Sequence, residues 1–150
     1  MNNQNGAGAL RESVRLLERK LGVLDDLQSS CCGVTFAQCH AIVEIGRAGS
    51  ISLNNLADIL GLDKSTMSRT INNLVNSEMV IREIAPEDRR YITIKLTEKG
   101  NRSFKEIEES MQVYFTQIYN VIPEEKRAQV IESFQILLQA LSENECCKKC

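Results

Sequence analysis

A mainly α-helical fold with a small β-hairpin is predicted by two features of this sequence. A short helical pattern stopped by Gly61 is followed, after a tight turn, by a second one capped by Asp63. Directly after that second helix the apolar period changes from between three and four residues to two, across residues 79 to 96. Helix, tight turn, helix and hairpin in this order make a winged helix-turn-helix, the hairpin being the wing. Apolar stripes before and after it, with too little of so small a unit left to cover them, add N- and C-terminal dimerisation helices.

The first helix is expected over about residues 9 to 28, where Leu10, Val14, Leu17, Leu21 and Leu24 recur every three or four positions. Ser29 to Val34 reads as a loop. Thr35 with Gln38 three residues on forms a capping box for a helix from about 36 to 47, its end marked by Gly46 and Gly49. Ser52 caps a short helix carrying Leu56, Ile59 and Leu60. In the helix after Asp63, Met67, Ile71, Leu74 and Val75 form the buried face. From Met79, Val80, Arg82 and Ile84 alternate with Ile81, Glu83 and Ala85, and Tyr91, Thr93 and Lys95 with Ile92, Ile94 and Leu96; Pro86 to Arg90 is the polar turn between. Thr97 opens a long helix with Phe104, Ile107, Met111, Tyr114 and Ile118 on one face. Pro123, Glu124 and Glu125 start a last helix bearing Val130, Phe134, Leu137 and Leu141.

The 150 residues are thus read as one domain: dimerisation helices at about 9–28 and 101–142, a winged-helix core at about 35–100, and a cysteine-rich tail at 143–150. At 43% hydrophobic and 25% charged the chain is neither disordered nor fibrous. No stretch approaches the roughly 18 apolar residues of a membrane helix, and Met1 to Gly8 are polar and Gly-rich, so a cytoplasmic location is expected. The net charge of −2 gives no global basic field, but residues 63–102 carry eight basic side chains against six acidic, while 103–150 carry five against eight. The middle of the chain therefore suits an anionic partner.

A recognition helix sets polar side chains near its N-terminus against base edges in the major groove. Ser65, Thr66, Ser68 and Arg69, with Asn72 further along, have that chemistry: Arg69 can pair with guanine O6 and N7, and the hydroxyls suit phosphate or either base type. Asp88, Arg89 and Arg90 lie at the hairpin tip, where a cation can enter the narrow minor groove. Taken alone, either is an ordinary solvated surface; helix and tip together, at this spacing, point to double-stranded DNA. Nothing resembles a phosphate-cradling Gly loop or a Ser/His/Asp set, so no enzyme is expected. Glu106, Glu108 and Glu109 read as a solvated helix face and Tyr91 as a packed strand ring.

Residues 51–100, ISLNNLADILGLDKSTMSRTINNLVNSEMVIREIAPEDRRYITIKLTEKG, resemble the core of the MarR family (multiple antibiotic resistance regulators) of bacterial winged-helix repressors, including the D-R-R wing tip and the L-T-x-x-G opening of the next helix. The resemblance extends to about residue 142. It implies a homodimer made by the terminal helices, recognition through Ser65, Thr66, Ser68 and Arg69, and a wing Arg90 oriented by Asp88. It also implies a pseudo-palindromic operator and repression relieved by a ligand or oxidant.

The cysteines depart from that pattern. Cys31, Cys32 and Cys39 form one group and Cys146, Cys147 and Cys150 another, with none between. Clustered thiols away from an oxidising compartment read as metal-binding or redox-active. Thiolates select thiophilic ions, and three of them suit arsenic(III) or antimony(III) as well as zinc or cadmium. The loop at Cys31 and Cys32 would fold both onto Cys39. The expectation is a repressor that needs no cofactor for DNA binding and is released by a thiophilic metal or metalloid at these cysteines. The alternatives are release by cysteine oxidation or by a small organic ligand and, more distantly, a thiol oxidoreductase using Cys147 and Cys150 or a metal-buffering protein. Cys39, between Ala37 and Ala41, also fits simple core filling, and His40 a structural role.

Overall fold

The computed structural model describes residues 3–32, 35–84 and 86–144. Its elements are α1 (Asn3–Cys32), α2 (Phe36–Ala48), β1 (Ile51–Ser52), α3 (Leu53–Leu60), α4 (Lys64–Asn76), β2 (Val80–Ile84), β3 (Ile92–Leu96), α5 (Glu98–Val121) and α6 (Glu124–Glu143). They form two compact units, Met1–Glu109 and Ser110–Cys150. The predicted class is the observed one, mostly helical with a small antiparallel sheet.

In the first unit the apolar positions of α2, α3, α4 and the sheet converge on one core. Ile42, Ile45, Leu56, Met67, Ile71, Leu74, Val80 and Ile94 are fully buried there, and Ile107 of α5 is 3% exposed. Local chemistry sets the helix starts. The Gln38 amide donates to Thr35 Oγ1 while the Thr35 amide donates to Gln38 Oε1, which is the capping box. Ser52 and Asp63 accept from Asn55 N and Thr66 N at the starts of α3 and α4. Gly61, at φ 63°, closes α3 in the left-handed conformation that glycine adopts without steric cost. On the surface of this unit Arg47 of α2 donates to Glu108 of α5 at 3.2 Å.

β2 and β3 pair antiparallel with Val80 opposite Leu96, Arg82 opposite Ile94 and Ile84 opposite Ile92. The wing is wider than the predicted hairpin. Ile51 and Ser52 pair with Ile94 and Thr93, making a three-stranded sheet of order β1-β3-β2. Two residues are too few to carry a period, so β1 has no signature in the sequence.

Other departures have simple causes. α1 is helical from Asn3 through Cys32, longer than 9–28, and the loop expected from Ser29 is helix as far as Cys32. Between Gly22 and Gly33 the sequence holds no glycine or proline, and Ser and Cys lower helix propensity only modestly. Gly46 does not end α2, which runs on to Ala48 and is closed by Gly49 at φ 76°. A Cβ on Gly46 would fall 2.5 Å from the Phe104 ring, so glycine is needed there for the approach of α5. Ile59, expected inside, is 57% exposed, and Val75 is half-buried.

In the second unit Arg127 donates to the carbonyls of Tyr119, Asn120 and Ile122, holding the turn from α5 into α6, and its guanidinium lies 4.9 Å from the Tyr119 ring centre. No residue of α6 is buried, and Phe134 (45% exposed) and Leu141 (57%) of its predicted stripe face outward.

Candidate nucleic-acid interface

α4 is held by its apolar face. Met67, Ile71 and Leu74 are buried, and Thr70, 8% exposed, satisfies its hydroxyl by donating to the Thr66 carbonyl at 3.0 Å. The other face is thereby presented outward: Ser65, Arg69 and Asn72 are exposed, and Thr66 and Ser68 are half-buried.

The first turn has an arrangement that residue types alone do not reveal. Asp63 Oδ1 accepts from the Ser65 hydroxyl at 2.5 Å and from the Thr66 amide at 2.8 Å, while Oδ2 accepts from the Thr66 hydroxyl at 2.8 Å. The Ser65 hydroxyl above all, then the Thr66 amide and hydroxyl, hold the Asp63 carboxyl far below the usual carboxylate range. A hydroxyl has one proton to give, and both have given it to Asp63. In this state Ser65 and Thr66 offer acceptor lone pairs, which match the amino groups of adenine or cytosine; donation to a phosphate requires release from Asp63.

At the wing tip the Arg90 amide and Nε both donate to Asp88 Oδ1, at 3.0 and 3.2 Å. The Tyr91 amide donates to the Asp88 carbonyl at 3.0 Å, closing the turn. The aspartate orients the arginine without covering it: the Arg90 side chain is 90% exposed. Arg89 is exposed beside it, and Tyr91, expected to be a packed ring, is 61% exposed. Asp88, Arg90 and Tyr91 face Ser52, Asn54 and Asn55 across an open groove of about 820 Å3, so the wing tip and the start of α3 border one recess. Asn54 and Asn55 had no distinguishing pattern in the sequence.

Arg82 also belongs to this surface. It shares a sheet face with Val80 and Ile94, both buried, since paired and alternate residues lie on one side. Its guanidinium Nη2 donates to Asn72 Oδ1 of α4. The available signal was a charge on the strand face that begins with the buried Val80, although that face opens to solvent by Ile84, which is 62% exposed. On the opposite face Lys95 and Glu83 pair at 2.8 Å.

Of the thiols, Cys39 is 4% exposed in the early turns of α2, among core residues. Cys31 and Cys32 stand in helical backbone at the end of α1, not in the loop that was to fold them onto Cys39, and their side chains lie outside the described residues, as do Cys146, Cys147 and Cys150. Among the described residues no three His, Cys, Asp or Glu side chains converge as metal ligands, and no helix is long and apolar enough to cross a membrane.

Residues 33–90 match the MarR family. The HTH-type transcriptional repressor MdtR of Bacillus subtilis (strain 168) is 24% identical over 113 residues, covering 75% of this chain and 73% of its own length. FabT of Streptococcus pneumoniae, solved in complex with DNA, has the same fold at a TM-score of 0.80 and 21% identity, over 90% of this chain and 98% of that one. A MarR transcriptional regulator from Methanosarcina mazei Go1 gives 0.77 at 21% identity, over 91% and 98%. The chain thus has the winged helix-turn-helix fold, and its residues 33–90, which hold the two helices of the helix-turn-helix and the first wing strand, are similar to the MarR family of transcriptional regulators.

Proposed function

We propose that the protein is a homodimeric, DNA-binding repressor that reads a pseudo-palindromic double-stranded operator, with α4 in the major groove and the wing tip in the minor groove. The observation that carries this reading is the outward polar face of α4, fixed by a buried apolar face, in the same fold as an exposed wing-tip Arg90 oriented by Asp88. The DNA complex of the similar FabT fold supports it. Exposed apolar residues on α1 (Leu10, Leu21) and α6 (Phe134, Leu141) support a second copy of the chain as the cover for the terminal helices. A dimer matches a two-fold operator, each copy reading one half-site.

The test is fluorescence anisotropy of fully reduced protein with fragments of the promoter next to its own gene. Tight binding to one fragment, at least a hundredfold over random duplex, is expected; equal binding to all duplexes would count against an operator reader.

The releasing signal we assign to a thiophilic metal or metalloid ion such as arsenic(III), antimony(III), cadmium or zinc, supported by the two cysteine groups of this sequence. A ligand that takes the buried Cys39 must disturb the start of α2, whose Ile42 and Ile45 pack in the same core as Met67 and Ile71 of α4. Ligation would in this way bias the reading head between two arrangements, and a 100-fold preference, worth about 2.7 kcal/mol, empties a half-occupied operator. Each ion, peroxide and aromatic carboxylates are titrated separately into the protein–DNA complex. Cys31→Ser, Cys32→Ser and Cys39→Ser should retain DNA binding and lose release by the ion; release by peroxide or an organic acid alone would assign the signal to oxidation or to a small organic ligand.

A further inference from the structure

We infer that Arg82 of β2 and Asn72 of α4 act as one unit that holds a DNA backbone phosphate where the recognition helix meets the wing. This rests on the DNA-binding reading above and adds to it a contact outside the helix start and the wing tip.

The starting point is the register of β2. Val80, Arg82 and Ile84 share one face, and the cross-strand partner of Arg82 is the fully buried Ile94. A guanidinium at such a position cannot enter the core, because burying an unpaired charge is costly. It leaves along the flank of α4, where its Nη2 donates to Asn72 Oδ1. Arg82 itself remains exposed, as does Asn72.

That hydrogen bond decides what the pair can bind. Asparagine reads adenine by accepting from N6 and donating to N7 at once, so it needs its carbonyl oxygen. Here Arg82 takes one of that oxygen's two lone pairs and turns the amide toward the strand, so the pair presents chiefly donors, the Asn72 amino group and the remaining guanidinium N–H groups, against a single remaining acceptor lone pair. A cluster of donors with one positive charge matches an acceptor-only, anionic group, and Arg is suited to phosphate geometry. Position selects the phosphate over the other acceptor-only target, the guanine edge. Asn72 lies eight residues beyond Lys64, about 12 Å along the axis of α4, whereas base edges are met by the N-terminal residues of a recognition helix. The flank of the helix at that distance faces the groove wall, which is phosphate.

The experiment measures the affinity of the full-length protein for its operator and for several unrelated duplexes across a range of salt, with R82A, R82Q, R82K and N72A. A phosphate contact adds about one to the slope of log affinity against log salt, independent of sequence. R82A and R82Q are expected to flatten that slope by about one and to weaken operator and random duplex by the same several-fold factor. R82K should keep the slope, and N72A should weaken binding with a smaller change in slope. R82Q retains a donor for Asn72 Oδ1, so it separates loss of charge from loss of the bridge, and thermal melting of each variant shows whether the wing is still folded. An unchanged slope in R82Q, with the fold intact, overturns the proposal. So does a loss confined to operators carrying guanine at one position, which would make Arg82 a base reader. A wild-type protein that binds no duplex removes the underlying DNA-binding reading instead.

Discussion

The backbone carbonyl of Met79, at the foot of the wing, lies against the α-carbon of Gly100 in the first turn of α5, so closely that a Cβ on Gly100 would overlap its oxygen and stand 3.0 Å from its carbon. The same carbonyl accepts from the Thr97 amide at 3.0 Å, and Thr97 Oγ1 donates to the Glu78 carbonyl at 2.6 Å while accepting from the Gly100 amide at 3.0 Å. The L-T-x-x-G pattern thus has a physical basis: Thr97 caps α5 and ties it to the wing, and Gly100 permits the approach. Gly100→Ala is expected to destabilise the protein by about 1–3 kcal/mol, as overpacking against backbone does. Thermal melting of the variant checks this, and an unchanged midpoint would mean that the two elements are not held this tightly.

Glu78 has φ 62°, the one non-glycine residue with positive φ among those described. A side chain in that region costs about 1 kcal/mol that glycine does not incur, partly offset by the greater freedom of glycine in the unfolded chain. Glu78→Gly should therefore raise stability by up to about 1 kcal/mol, or about 2–4 °C in melting temperature for a chain of this size. Glu78→Val should lower it.

On the proposed reading of α4 as the recognition helix, the Asp63 carboxylate shapes what its first turn offers to DNA. Asp63→Asn keeps a capping oxygen but removes the negative charge and loosens the Ser65 and Thr66 hydroxyls. Affinity for random duplex should rise a few-fold and the specificity ratio should fall. Because the carboxyl is held far below its ordinary range, it stays ionised down through the unfolded value near 4. Its contribution to stability is thus fully present above about pH 4 and is lost only as pH falls further toward the folded value. The difference between Asp63→Asn and wild type in DNA affinity should accordingly be constant from about pH 5 to 8; a difference that titrates in that range would contradict the geometry.

Arg69 and Arg90 should separate by the kind of loss they produce. Arg69→Ala is expected to cost about 1–3 kcal/mol and to relax preference at one base pair of each half-site. Arg90→Ala should weaken binding most where the flanking minor groove is narrow. Binding to operator variants in parallel distinguishes the two.

If a second copy covers α6, a charge on its stripe should block assembly. Phe134→Glu is expected to shift the molecular mass measured by light scattering toward that of one chain and, with it, to abolish high-affinity operator binding. A fully dimeric Phe134→Glu would place the interface elsewhere.

The sequence by itself was enough for the order of the six helices and the hairpin, the capping at Thr35, Ser52 and Asp63, the burial of Met67, Ile71 and Leu74 in α4 and the β2–β3 pairing, because each is a local pattern: a period, or a side chain reaching its own backbone three residues on. It was also enough for the charged tip at Asp88 to Arg90, since a turn between two alternating strands has one place to be. The strand at Ile51 and Ser52 and the interior place of Gly46 were decided by tertiary structure, through partners remote in sequence. So were the commitment of the Ser65 and Thr66 hydroxyls to Asp63 and the reach of Arg82 to Asn72. A composition names the groups that can donate or accept, but a hydrogen bond spends a particular proton or lone pair. Which ones are left for a ligand follows only once the side chains are set in space.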